Sequence, residues 1–190
     1  EPALNGGDTL LFTASVEIEN DDTPKDNIFE LSQEIVNSFD PNDKTCLEGK
    51  TITPQMVGNY VHYMIRFENT GTAEAVNIVV RDTIDLEKFD VNSLQLIDQS
   101  HTCRTIITNN VVEFKFDNIN LPFDDATNDG YITFKIKTLP TLQLGDSFEN
   151  TAGIYFDFNY PIITNTSSTT IAIPKEDPII TGVNTTLTSE

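Results

Sequence analysis

Asp40-Pro41-Asn42-Asp43 places three oxygen-bearing side chains within four positions. Calcium takes six to eight hard oxygen ligands, and a short Asp/Asn-rich joint between β-domains can supply several of them. Asp21, Asp22 and Asp26, in an acidic turn upstream, are further donors. The competing reading is a plain turn, in which Asp40 bonds its own backbone and Pro41 fixes the direction of the chain. A second oxygen-rich run, Asp124-Asp125-Ala126-Thr127-Asn128-Asp129-Gly130, offers Asp124, Asp125, Asn128 and Asp129 as weaker calcium ligands. It lacks the Asp-x-Asp-x-Asp-Gly spacing and the downstream bidentate glutamate of an EF-hand. A solvated hairpin loop, bent at Gly130, is the reading we prefer there. Calcium is the one cofactor the sequence suggests.

The two cysteines, Cys46 and Cys103, are open to three readings: free half-buried thiols, one disulfide, or metal ligands joined by His62 and His101. Closing a loop of roughly 60 residues with a disulfide would stabilise the chain by about 4 kcal/mol on the chain-entropy estimate. His101 and Cys103, two apart on a strand, share a face, but nucleophilic catalysis also needs an orienting acid and an oxyanion hole. No Gly-rich loop supplies one, and no phosphate-binding loop is present. Thirty acidic residues hold no identifiable catalytic pair.

The elements that would position these residues are strands. Val61, Tyr63, Ile65 and Phe67 fall on one face of Tyr60–Asn69, with His62, Met64, Arg66 and Glu68 on the other. Asn69-Thr70-Gly71-Thr72 then supplies turn chemistry, since Gly71 can take positive φ without penalty. Val76, Ile78 and Val80 resume the alternation, followed by strands at Leu94–Asp98, Cys103–Thr108 and Val111–Asp117, the last two joined by a tight Asn109-Asn110 turn. Ile132, Phe134 and Ile136 mark the next strand, and Ser147–Phe158 and Ile162–Ile173 close the series. Short strands punctuated by Gly, Pro, Asn and Asp, with no helix between them, predict an all-β fold, an immunoglobulin-like antiparallel β-sandwich. Two further strands, Thr9–Glu19 and Asn27–Val36, form a hairpin that is marginal alone, so it either pairs with the following sandwich or belongs to a preceding domain, the reading we prefer. We assign residues 1–37 to the last strands of a preceding β-sandwich domain, 38–173 to the immunoglobulin-like sandwich, and 174–190 to a Thr/Asn/Ser-rich linker.

Charge excludes some partners. Eleven Lys and Arg against thirty Asp and Glu give a net charge of −19, which argues against nucleic acid and against anionic lipid as partners. Cations or basic surfaces suit it better, and no run is apolar and long enough to form a transmembrane helix. The apolar fraction of 38% suffices for a packed core.

Several strings together carry a resemblance: Ser38-Phe39-Asp40-Pro41-Asn42-Asp43-Lys44, Tyr63-Met64-Ile65-Arg66-Phe67-Glu68-Asn69-Thr70-Gly71-Thr72, Val79-Val80-Arg81-Asp82-Thr83-Ile84-Asp85, Ser100-His101, Asn118-Ile119-Asn120-Leu121-Pro122, and Ile154-Tyr155-Phe156-Asp157-Phe158-Asn159 before Pro161-Ile162. In this order they resemble a β-sandwich repeat of secreted Bacteroidota surface proteins, cargo of the type IX secretion system, found just before the C-terminal sorting domain. The resemblance implies a non-catalytic stalk module that spaces and presents N-terminal domains. Such a module would be extracellular and attached to the outer-membrane surface. Its partners would be neighbouring domains of the same polypeptide, the type IX machinery or outer-membrane surface components. The two cysteines depart from the repeat, and two such departures in an exported domain favour a Cys46–Cys103 pair. Asp8-Thr9-Leu10 and Asp82-Thr83-Ile84, and more weakly Asp146-Ser147-Phe148, resemble the O-glycosylation sequence of such exported proteins, marking Thr9, Thr83 and Ser147. The alternatives are an adhesive module for a protein or glycan target, using tyrosines such as Tyr60, Tyr131, Tyr155 and Tyr160 as stacking faces, and an accessory domain of a secreted enzyme.

Overall fold

The computed structural model describes residues 9–16, 27–34 and 41–173. They fall into two compact units, one holding the first two strands and the other residues 41–173. In the first, β1 (Thr9–Ser15) pairs antiparallel with β2 (Ile28–Glu34), Phe12 opposite Leu31 and Ala14 opposite Phe29. Cross-strand partners share a face, so this hairpin carries one face made of Phe12, Ala14, Phe29 and Leu31. The acidic turn with Asp21, Asp22 and Asp26, the proposed ligand Asp40 and the linker 174–190 lie outside the described residues, as does the side chain of Thr9.

The second unit is built of β3 (Lys44–Cys46), β4 (Thr51–Ile52), β5 (Tyr60–Glu68), β6 (Ile78–Thr83), β7 (Phe89–Gln99), β8 (Arg104–Thr108), β9 (Val111–Phe116), β10 (Asp129–Thr138), β11 (Ser147–Asn150), β12 (Ala152–Phe156), β13 (Ile162–Ile163) and β14 (Ser167–Ile171). One sheet has the order β3-β5-β10-β7, a second β13-β12-β6-β9-β8, and a third β11-β14-β4. All pairings are antiparallel except β14 with β4, which is parallel. The all-β immunoglobulin-like sandwich is thus the observed fold.

The core follows the period-two pattern. Val61, Tyr63, Ile65 and Phe67 of β5 and Ile132, Phe134 and Ile136 of β10 are fully buried, facing Ile78 and Val80 of β6 and Val112, Phe114 and Phe116 of β9. Rings bridge the layers: Phe114 lies 5.4 Å from Phe134, Phe67 5.1 Å from Phe116, and Phe89 5.2 Å from Phe148, centroid to centroid. The turn between β8 and β9 is the expected Asn109-Asn110 pair, with Asn109 at φ 56°.

Several local expectations change: β6 begins at Ile78, and Val76 ahead of it is exposed. Ser147–Phe158 is not one strand: the chain breaks at Thr151 and passes from β14 as partner to β6. Ile162–Ile173 likewise divides into β13 and β14. Gly71 is not among the positive-φ glycines; its N–H donates to Asn69 Oδ1 at 3.1 Å, and a Cβ there would meet that oxygen at 2.9 Å. Gly130 lies within β10 opposite Phe67 rather than at a bend, and a Cβ would stand 2.4 Å from the Phe67 ring. Because that ring is locked in the core against Phe116, Gly130→Ala is expected to cost about 1–3 kcal/mol by overpacking. Urea unfolding of the two chains measures it, and an unchanged midpoint would show that Phe67 has room to turn.

Candidate functional site

Strand phase puts three polar side chains where the sandwich should be apolar. On β3, Lys44 and Cys46 point inward and Thr45 does not. On β6, Asp82 follows Ile78 and Val80 on the buried face, flanked by Val112 of β9 and Ala152 of β12. On β11, Asn150 follows Phe148 inward and lies opposite Ser167 of β14. Lys44 and Asp82 are 0% exposed and Asn150 4%.

The three side chains meet. Lys44 Nζ donates to Asp82 Oδ2, and Asn150 Nδ2 reaches that same oxygen at 3.5 Å. The Lys44 nitrogen stands 4.9 Å from the Tyr63 ring centroid and 5.3 Å from that of Phe134. Among the described residues, three buried side-chain polar atoms have no hydrogen-bond partner, and they belong to this group: Asp82 Oδ1, Asn150 Oδ1 and Tyr63 Oη. Burial lowers the Lys44 ammonium below its ordinary value and raises the Asp82 carboxyl above its own, each opposed by the other's charge. The pair is therefore pushed toward a neutral amine and a neutral acid. Burial also raises the Tyr63 phenol, and pushes the Cys46 thiol up to about 11. The backbone of Lys44 is fixed from outside: its N–H donates to Asn165 Oδ1 and its carbonyl accepts from Asn165 Nδ2, both at 2.9 Å.

Reading by residue type missed this group. Asp82 falls within the Asp82-Thr83-Ile84 modification pattern, and Lys44 ends the Ser38–Lys44 string. The usable signal was phase, since Asp82 continues the Ile78, Val80 series and Asn150 continues Phe148.

The proposed calcium ligands have other partners. Asp43 accepts from Arg66 Nε at 2.6 Å, Arg66 Nη2 at 3.0 Å and Thr45 Oγ1 at 3.0 Å. Asn42 Oδ1 accepts from the Glu68 N–H at 3.2 Å. In the second loop, Asn128 is buried and donates to Glu68 Oε1 and to the Asn69 carbonyl, Asp129 opens β10, and Asp124 and Asp125 are exposed. Among the described residues, no three His, Cys, Asp or Glu side chains gather as a metal site.

The cysteine pair is corrected. Both thiols are free, Cys46 donating to Glu48 Oε2 and Cys103 to Gln99 Oε1. Register explains why: Gln99 lies opposite Ile132, Ile132 opposite Ile65, and Ile65 opposite Lys44. Three strand spacings of about 4.8 Å separate the two neighbourhoods, about twice the reach of a disulfide. His101 turns its Nδ1 to Ser100 Oγ rather than to Cys103. Of the modification candidates, Thr83 is exposed, and Ser147, also exposed, shares a hydrogen bond with Thr170.

Beside the buried group, Glu48 joins β3 to β5, accepting from the His62 N–H at 2.8 Å and facing His62 Nδ1 at 2.6 Å. Burial alone would raise its carboxyl, but the bonds from His62, Cys46 and its own backbone together outweigh it and hold the group below its ordinary 4.5. A carboxyl lowered by folding stabilises above its unfolded value and loses that contribution as pH falls through the folded one. Glu48→Gln is therefore expected to lower the thermal midpoint at pH 7, with the gap to the parent closing on acidification below pH 4.5. A gap independent of pH would contradict it.

At one end of the sandwich, Phe158 and Tyr160 are 103% and 96% exposed beside a shallow cavity of about 200 Å³ that Asn69, Gly71 and Phe156 help line. The other tyrosines named above are engaged: Tyr60 lies under Lys135 and Lys137, Tyr155 under Arg81, and Tyr131 donates to Asp98.

No curated protein matches the chain. Solved structures of similar shape include the collagen-binding domain of a Staphylococcus aureus adhesin, 14% identical over 72% of this chain and 100% of that one, TM-score 0.43. The collagen-binding subdomain of Enterococcus faecalis surface protein ACE is 13% identical over 70% and 99%, TM-score 0.46. Domains D2 and D3 of the major pilin SpaD from Corynebacterium diphtheriae are 13% identical over 68% of this chain and 52% of that one, TM-score 0.52. At such identities the likeness is one of fold. A family model, described as "Domain of unknown function (DUF7619)", matches residues 40–170. Spanning most of the sandwich, that match shows that the chain belongs to the DUF7619 family.

Proposed function

We propose that residues 40–174 form a non-catalytic stem module of a bacterial surface protein, set in series with other domains. The observation that carries the reading is the parallel pairing of β4 with β14, Thr51 beside Thr170 and Ile52 beside Ile171. These strands lie near the start and the end of the module. In a parallel pair, the entering and leaving chain emerge at opposite ends, so tension shears the hydrogen bonds together instead of opening them one at a time. β14 is also tied to β3, where the Cys46 N–H donates to Ser167 Oγ at 2.9 Å. Adhesin and pilin domains of the same fold are proteins of the bacterial surface, which is the setting proposed here. The sequence resemblance adds Bacteroidota origin, type IX export and outer-membrane attachment. The apolar face of the β1–β2 hairpin suits the edge of a sheet completed by preceding strands.

Single-molecule extension between residues 40 and 174 tests this, together with antibody labelling of intact cells. A high-force shear event and labelled cells are expected. Low-force stepwise peeling, or labelling only after lysis, would overturn it. A second reading is favoured by Phe158 and Tyr160 alone: an adhesive face for a protein or glycan target, lost on a glycan or matrix-protein array with Tyr160→Ala.

A further inference from the structure

We propose that Lys44 and Asn150 become joined by an intramolecular amide bond, Lys44 Nζ to Asn150 Cγ, with ammonia released and Asp82 carrying the proton. The amine, the acid and the carboxamide come from three strands distant in sequence, and the amine and carboxamide share one carboxylate oxygen. Such convergence in a dry site supplies the orientation that makes aminolysis of an unactivated carboxamide feasible, and the exclusion of water removes the competing hydrolysis.

The step balances without any co-reactant. The buried pair first passes its proton from Nζ to Asp82, giving a neutral amine, in keeping with the direction in which burial drives both groups. The Nζ lone pair attacks Asn150 Cγ and the carbonyl electrons move onto Oδ1, toward which the Asp82 O–H can donate a hydrogen bond while keeping its proton. Asp82 then takes a proton from Nζ and delivers it to Nδ2. The Cγ–Nδ2 bond breaks, ammonia leaves, and Asp82 ends as the neutral acid. One C–N bond forms, one breaks, and no oxidation state changes.

The product also resolves an oddity of the unjoined site, where Asp82 Oδ1 and Asn150 Oδ1 both lack partners although both are buried. Unpartnered buried oxygens are costly, and two acceptors cannot satisfy one another. An amide has one N–H and one carbonyl, and a protonated carboxyl has one O–H and one carbonyl, so acid and product are complementary. The bond also removes a charge from an apolar box walled by Tyr63 and Phe134.

Intact-mass measurement of the purified 190-residue chain under denaturing conditions tests this. The chain is expected to be lighter than its sequence mass by one ammonia, and a protease digest is expected to contain a branched peptide joining the segments around Lys44 and Asn150. Asp82→Asn, which keeps the shape of the site, and Asn150→Ala should both retain the full mass. An unmodified parent chain would overturn the proposal. So would a loss of ammonia without the branched peptide, which would place it in a succinimide elsewhere. An ordinary buried ion pair predicts the first of these outcomes.

Discussion

Replacing Lys44 alone by methionine is expected to destabilise the sandwich by about 3–5 kcal/mol more than replacing Lys44 by methionine and Asp82 by leucine together. Methionine keeps the apolar stem that lies along Tyr63 and Phe134 but leaves the Asp82 carboxyl buried without its amine, between Val112 and Ala152. Removing both polar groups substitutes packing for an ion pair, a change that is often neutral or stabilising. The double variant also isolates the covalent contribution. Without Lys44 no amide can form, and a cross-link closing a loop of about 100 residues corresponds to about 4.7 kcal/mol on the chain-entropy estimate. The parent should therefore exceed even the double variant. Urea titration of the three chains separates the two effects. Single and double variants within about 1 kcal/mol of each other would show that Asp82 is content as a lone neutral acid.

Phe134→Ala is expected to cost about 3–5 kcal/mol, the range for a fully buried phenylalanine. Phe134 is 0% exposed and stands at the middle of a run of rings, 5.6 Å from Tyr63 and 5.4 Å from Phe114. Both neighbours are pinned in strands, so the space cannot close by collapse of a flexible side chain. The same ring walls the Lys44 amine, and its removal admits water to the site. The fraction of chains lacking one ammonia should then fall along with stability. Phe134→Leu should recover most of the stability, and a loss for alanine under about 1 kcal/mol would show that the layers can close over the gap.

Much of this architecture is legible in residue spacing. Val61, Tyr63, Ile65 and Phe67 announce a half-buried strand because β5 has one face in the core and one outside. Asn109-Asn110 announces a two-residue turn because asparagine tolerates the left-handed conformation found there. The break at Thr151 was not legible, because a strand that changes sheets keeps its alternation of buried and exposed residues across the switch. Nor was the parallel β4–β14 pairing, a long-range contact with no local signature. The partners of the proposed ion ligands were not legible either: Asp43 is an oxygen donor by type, and only the tertiary register sets Arg66 against it. Composition suggests ligands, and only register shows which donors are already in use.

Asn150 lies ahead of β12, β13 and β14 rather than within the last strand. If a bond ties it to Lys44, a pull along the stem bypasses everything between them and acts on the final segment alone. That segment, about 20 residues, could pay out at most about 70 Å before the covalent link takes up the tension. A tether built this way would behave like a seat belt with a short tear seam. It would spend the energy of a sudden tug by unravelling a small reserve, keep most of the sandwich folded, and rewind when the strain passes.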